Sequence, residues 1–118
     1  MAFAVASVER LFKVLGDGSR LRILQALEPG ELSVSEILQR TVLAQTLASF
    51  HLRILREAGV VATERRGPFI FYKLADVSLP NLLEACTKYS ETLADTQPSE
   101  FAWPPWGSLR QLARTRRK

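Results

Sequence analysis

Residues 43–59 read LAQTLASFHLRILREAG and carry the strongest structural signal in the chain. At about 100° per residue, with Gln45 set at zero, the apolar side chains and one histidine share a helical arc from roughly 180° to 340°. That arc holds Leu47, Ala48, His51, Leu52, Ile54, Leu55 and Ala58. The opposite arc holds Gln45, Thr46, Ser49, Arg53, Arg56 and Glu57, with Phe50 at its edge. The pattern predicts an amphipathic helix with a polar outer face.

The outer face of this helix offers amide, hydroxyl and guanidinium groups. Such groups hydrogen-bond base edges and phosphates in the major groove of DNA. We therefore expect base or groove contacts from Gln45, Thr46, Ser49 and Arg53, and a contact to the DNA backbone from Arg56. An ordinary solvated helix face has the same composition, so this helix alone does not separate the two interpretations.

A β-hairpin is predicted directly after the helix. Gly59 is a natural helix C-cap, and residues 60–66 are rich in β-branched side chains. Gly67 and Pro68 predict a turn, and residues 69–74 predict a second strand. A recognition helix followed by a hairpin is typical of a winged helix. Arg65 and Arg66 near the hairpin tip suit the minor groove or flanking phosphates, or else form a solvated hairpin end.

A second helix is predicted upstream, within residues 32–38. Ser33 and Glu36 fit a capping box, in which the hydroxyl accepts from the third amide and the carboxylate accepts from the cap amide. A short turn over residues 41–44 joins it to the recognition helix, which gives a helix-turn-helix. The predicted fold is mainly α, a winged helix-turn-helix with about five helices and a two-stranded wing.

Three segments resemble the arsenic-repressor (ArsR/SmtB) family of dimeric bacterial winged-helix repressors. They are residues 15–24 (LGDGSRLRIL), residues 51–61 (HLRILREAGVV) and the hairpin end at residues 71–74 (FYKL). The resemblance covers roughly residues 8–93 and implies a DNA-binding repressor. The chain departs from the family pattern at three positions. The family usually has a small helix-breaking residue at Val42 and a serine cap at Ala44, and often a threonine at Leu47.

The terminal helices are predicted to form a dimerisation layer. Apolar residues recur with helical spacing at Val5, Val8, Leu11, Phe12 and Leu15, and again at Leu79, Leu82, Leu83, Cys86, Tyr89 and Leu93. Ser78 is a plausible cap of the last helix, with Pro80 in its first turn. Dimers of the family pair their terminal helices. Such a homodimer would place two recognition helices about 34 Å apart and bind an inverted-repeat operator. Alternatively, both stripes close one monomeric core.

The resemblance also implies where a metal effector would bind, and the expected ligands are missing there. One family site uses two cysteines in a pattern that reads Leu32-Ser33-Val34-Ser35 in this chain, and a serine hydroxyl cannot replace a soft thiolate. The serines are either native or replacements for cysteines. At the second family site, on the last helix, Asp76 is kept but Ser78, Tyr89 and Thr92 occupy the other positions. We expect no metal and no cofactor; a metal ion shared across a dimer through two Cys86 residues is the remaining alternative.

Two further residues could take part in regulation. Cys86, the only cysteine, lies in an apolar stripe and is either a small buried hydrophobe or an intersubunit disulfide or thiol sensor. His51 lies in the apolar arc, where it would hydrogen-bond a neighbour; the family resemblance implies a role in coupling the recognition helix to the last helix. The effector could be a metal or metalloid, an oxidant or a small molecule. No catalytic constellation is visible, so an enzyme is not expected.

Charge and composition agree with a cytoplasmic nucleic-acid binder. The net charge is +4, but residues 107–118 hold five bases and no acid, so the rest sums to −1. Within residues 40–66, five arginines stand against two glutamates, a local charge of +3. A single cysteine fits a reducing compartment. No apolar run is long enough to span a membrane, and the N-terminus does not resemble a signal peptide.

The predicted domains are residues 1–96, which carry DNA binding and dimerisation, and a basic tail, residues 97–118. The tail contains Trp103 and Trp106 around two prolines, and we expect these rings to be buried against the folded body. Two other functions stay open. The chain could be a protein-interaction module on a degenerate winged helix that grips a partner through Phe50 and the tryptophans. It could also be a scaffold that binds a small molecule.

Overall fold

The structure is a computed structural model that describes residues 2–93, which form five helices and three strands. Their bounds are α1 Val5–Leu15, α2 Gly18–Leu27, β1 Leu32–Ser33, α3 Val34–Thr41, α4 Gln45–Glu57, β2 Val61–Arg66, β3 Phe69–Leu74 and α5 Leu79–Leu93. The described residues divide into two units, the first ending at Pro80 and the second beginning at Asn81. In the second unit, residues 81–93 are helical. The predicted boundary at residue 96, the tail and its two tryptophans lie outside the described residues.

The core of the first unit is built by α2, α3 and α4. Its largest fully buried side chains are Ile23, Leu24, Leu27, Ile37, Leu52 and Leu55. The predicted inner face of α4 is confirmed at Ala48, His51, Leu52 and Leu55, which are all buried. It is wrong at Leu47 and Ala58, which are exposed. Both residues lie toward the 180° edge of the predicted arc, whereas the buried residues occupy the rest of it, from about 240° to 340°.

The wing is part of a three-stranded antiparallel sheet with the order β1-β3-β2. Strands β2 and β3 pair from Val61 with Leu74 to Arg66 with Phe69, as the predicted hairpin requires. The third strand is additional to the predicted two-stranded wing. It consists of Leu32 and Ser33, which pair with Tyr72 and Phe71. Both residues are extended, and α3 begins at Val34 with Ser33 as its N-cap, as the predicted capping box requires.

Local signals at the helix ends explain where most elements begin and stop. The predicted capping box is confirmed: the Ser33 amide donates to Glu36 Oε1 at 2.8 Å, and the Glu36 amide donates to Ser33 Oγ at 3.3 Å. Gly59 after α4 and Gly67 in the hairpin turn have φ values of 79° and 60°, which glycine adopts without strain. At the start of α5, the Ser78 amide and hydroxyl both donate to Asp76 Oδ1 at 2.8 Å, and the Ser78 cap stays a prediction.

The two terminal helices keep apolar side chains in contact with solvent in the single chain. On and before α1, Phe3, Val5 and Phe12 are between 57% and 69% exposed. On α5, Leu82, Tyr89 and Leu93 are between 39% and 70% exposed. Within residues 2–93, no helix is long and apolar enough to cross a lipid bilayer.

Candidate nucleic-acid interface

The turn between α3 and α4 is closed by an unusual residue. Val42 adopts a left-handed conformation (φ 58°, ψ 27°), and its amide donates to the Leu38 carbonyl at 2.9 Å. A β-branched side chain is strained in this conformation, because its Cβ substituents crowd the backbone. The Val42 side chain is 86% exposed, so packing gives it little compensation. The structure therefore explains why a small residue is usual at this point of the turn.

The same turn leads into α4, whose N-terminus has no side-chain cap. Ala44 occupies the N-cap position in extended conformation, and its methyl group cannot accept a hydrogen bond from the first turn. The preceding helix is anchored instead by Thr41, whose hydroxyl donates to the Ile37 carbonyl at 2.7 Å and accepts from the Leu43 amide at 3.4 Å. The turn is thus held mainly from the α3 side.

The outer face of α4 is the main polar surface of the helix-turn-helix. All five predicted contact residues on it are exposed, namely Gln45, Thr46, Ser49, Arg53 and Arg56. Arg53 donates through Nε to Glu57 Oε2 at 3.2 Å, one turn further along the helix. Among residues 2–93, Arg56 forms no ion pair. Because the opposite face is buried, these groups point away from the core together and form one continuous donor and acceptor surface.

The two wing arginines differ in their surroundings. Arg65 is exposed and forms no ion pair within the described part of the chain. Arg66 binds both carboxylate oxygens of Glu31, at 2.7 and 2.8 Å, and Glu64 Oε1 at 3.1 Å. Its guanidinium also lies 4.7 Å from the Phe71 ring centroid.

The charge on Arg66 is therefore already balanced by the carboxylates of Glu31 and Glu64. Hydrogen bonds to Glu64 and then to Glu31 raise the pKa of Arg66, and the contact with Arg66 lowers the pKa of Glu64. Arg66 fixes the wing to the segment before β1, and Arg65 is the wing arginine with its charge uncompensated by a described residue. Sequence reasoning missed Glu31, because nothing in its local pattern points to a partner 35 residues away.

A polar cluster beneath α4 connects three helices. Arg20 on α2 donates to the backbone carbonyls of Lys13 and Val14 at the end of α1, and its Nη1 lies 3.1 Å from His51 Nδ1. Since a guanidinium only donates, Nδ1 is the acceptor and the proton of the neutral imidazole is on Nε2. That nitrogen lies 3.7 Å from Asp17 Oδ1. The expected hydrogen bond between buried His51 and a neighbouring group is thus confirmed, with Arg20 as the donor.

Asp17 has a second role in this cluster as the N-cap of α2. Its Oδ1 accepts from the amides of Ser19 at 2.9 Å and Arg20 at 3.2 Å. Burial alone would raise the pKa of Asp17, but the Arg20 amide, the neighbouring His51 ring and Arg20 guanidinium, and the Ser19 amide lower it overall. Sequence reasoning used residues 15–24 only as a family match; an aspartate just before a helical run was the available signal for this cap.

The family metal positions hold hydroxyl groups with other partners. Ser33 belongs to the capping box, Ser78 binds Asp76, and Ser35 is exposed. Cys86 is exposed in the single chain, so the expected burial is not provided by described residues of the same chain. Within residues 2–93, no group of three or more histidine, cysteine, aspartate or glutamate side chains could hold a metal ion.

Comparison with known proteins places this arrangement among transcriptional regulators. Residues 15–64 match a helix-turn-helix domain family. The chain is 35% identical to the HTH-type transcriptional regulator NmtR of Mycobacterium tuberculosis over 81% of its own length and 83% of that protein's. It is 34% identical to the transcriptional repressor BigR of Xylella fastidiosa, with a TM-score of 0.67 over 72% and 87% of the two chains.

A further structural relative is Mb0332 of Mycobacterium bovis. That protein is described as a homodimeric winged helix-turn-helix DNA-binding domain and a possible ArsR-family transcriptional regulator. The TM-score is again 0.67, with 29% identity over 80% of this chain and 87% of that one. The predicted winged-helix fold is thereby confirmed.

Proposed function

The chain belongs to the ArsR/SmtB family of winged-helix transcriptional regulators, and on that premise we propose that it represses transcription by binding operator DNA as a homodimer. The observation that carries the proposal is the outer face of α4, where five exposed polar or cationic side chains oppose a buried face. This family consists of regulators and not enzymes. We infer a cytoplasmic location, because chromosomal operator DNA lies in that compartment of a bacterial cell.

The DNA contacts divide according to chemistry. Gln45, Thr46, Ser49 and Arg53 lie on the exposed face of the recognition helix and would read base edges in the major groove. Arg56 and Arg65, both exposed, would neutralise phosphates. We assign Arg66 a different part: through Glu31 and Glu64 it holds the wing in place so that Arg65 is presented to DNA.

A second copy of the chain would cover the exposed apolar residues of α1 and α5. Large apolar side chains left in solvent along a helix mark an interaction surface. A two-fold axis would then present two recognition helices about one DNA turn, roughly 34 Å, apart to an inverted-repeat operator. The homodimeric relative from Mycobacterium bovis supports this assembly.

Release from DNA would follow when an effector favours a conformation that binds DNA poorly. A coupling of about 1–3 kcal/mol is typical of such regulation. The serines at the family's thiolate positions argue against a soft metal ion there. We therefore favour an oxidant that acts on exposed Cys86, or a small molecule, as the effector.

Charge reversal on α4 tests the proposal. The double substitution Arg53→Glu and Arg56→Glu should weaken duplex binding and reduce the log–log salt slope by up to about 0.9 for each phosphate that the variant no longer neutralises. Arg22→Glu is the matched control, because Arg22 is an exposed arginine on α2. Fluorescence anisotropy over a salt series gives both quantities. Equal affinity of the double variant and the control would refute the proposed DNA face.

A further inference from the structure

The recognition helix has an apolar edge that the core does not use. Leu47 is 42% exposed and Phe50 is 58% exposed, although the remaining large apolar positions of α4 are buried or half-buried. The two residues are three positions apart, so their side chains are neighbours on the helix surface. Single exposed apolar residues are common on protein surfaces, but these two form an adjacent pair on the helix that is proposed to contact DNA.

This edge continues directly from the predicted base-reading surface. Phe50 lies one helical turn after Thr46 and one turn before Arg53, so it is their neighbour on the helix surface, and Leu47 lies on the far side of Phe50 in the same first half of α4. In helix-turn-helix proteins, residues near the start of the recognition helix approach the base edges. The edge would therefore enter the major groove together with the polar groups.

The major groove offers one distinctive apolar feature, the C5-methyl group of thymine. We propose that Leu47 and Phe50 form a specificity edge that recognises thymine methyl groups in the operator. The inference rests on the proposed DNA-binding function and adds a base preference to it. A leucine or phenylalanine side chain forms no hydrogen bond with the amino and carbonyl groups of the base edges. Against a methyl group, however, it buries apolar surface, which favours binding.

The test uses thymine and its demethylated analogue in otherwise identical duplexes. Binding sequences are first selected from a randomised duplex library, and each thymine of the selected site is then replaced by deoxyuridine, one position at a time. Removal of one buried methyl group should weaken binding about fourfold. We expect this effect at one or two thymines in each half-site, and no change at the other thymines of the same duplex.

In the Leu47→Asn variant, polar atoms occupy nearly the same volume as the leucine side chain. This variant should bind the thymine duplex and the deoxyuridine duplex equally at the position that Leu47 contacts. Leu21→Asn is the matched control, since Leu21 is 39% exposed on α2, and it should keep the wild-type preference. The wild-type comparison of thymine with deoxyuridine does not depend on how well any variant folds.

The outcomes separate the inference from the function on which it rests. Tight duplex binding with no preference for thymine at any position overturns the methyl-reading edge and leaves DNA binding intact. Failure to select any duplex overturns both. If Leu47→Asn changes the sedimentation coefficient of the free protein and keeps the thymine preference, the edge contacts a second copy of the chain, and the inference is wrong.

Discussion

Replacing Val42 by asparagine should stabilise the protein, although the substitution removes an apolar side chain. The left-handed conformation at φ 58° costs an L-residue about 1–2 kcal/mol, and branching at Cβ places valine near the upper end. Asparagine tolerates this conformation far better. Because Val42 is 86% exposed, little buried area is lost. We therefore expect the free energy of unfolding to rise by about 1 kcal/mol.

Two further variants separate strain from other effects at this position. Val42→Gly should stabilise less than Val42→Asn, because glycine adds about 0.5–1 kcal/mol of chain entropy to the unfolded state. Val77→Asn is the matched control: Val77 is 91% exposed, and its φ is not positive. A change at such a surface site should stay within about 0.5 kcal/mol.

Urea unfolding followed by far-UV circular dichroism measures these differences. All proteins are compared at one concentration, because a dimer gains stability by mass action. The midpoint should increase for both Val42 variants with the slope unchanged, which marks a change of stability and not of the compactness of the denatured state. A Val42→Asn protein no more stable than wild type, or an equal gain in Val77→Asn, would show that the turn is not strained.

Two other predictions concern the polar cluster and the cysteine. The folded-state pKa of Asp17 is lowered, so its contribution to stability is complete above the ordinary carboxyl pKa and is lost as the pH falls below it. Asp17→Asn keeps an N-cap acceptor but not the charge. The urea midpoint of this variant should therefore fall less than that of wild type between about pH 5 and pH 3. Plots of midpoint against pH that run parallel for the two proteins would contradict this. Cys86→Ala removes the only thiol of the chain and should abolish release of duplex DNA by diamide in an anisotropy assay; release that persists would assign the response to another group.

The fold could be predicted from sequence wherever a local pattern repeats or a special residue is required. The periodicity of residues 45–57 defines α4, and Gly59 and Gly67 mark the points where the chain needs positive φ. Strand β1 was missed, because two residues are too short to show alternation. Leu47 was misplaced, because a helical wheel gives direction but not the width of the face that neighbours cover.

The candidate site was predictable in composition but not in pairing. The outer face of α4 follows from spacing alone, and the five residues predicted there to contact DNA are exposed. The ion pair of Arg66 with Glu31 and the contact of Arg20 with His51 join residues 35 and 31 positions apart. Such pairs depend on how the elements pack, which no local pattern encodes. The strain at Val42 was visible only as a departure from the family pattern.

Strand β1 and Glu31 connect the wing to the segment that leads into α3. Leu32 and Ser33 form a ladder with β3, and Glu31 next to them grips Arg66 on β2. A displacement of the hairpin would therefore also displace α3, the first helix of the helix-turn-helix. We expect the wing and the helix-turn-helix to move as one rigid body. An effector that releases DNA would then displace the recognition helix and the wing together, and not the hairpin alone.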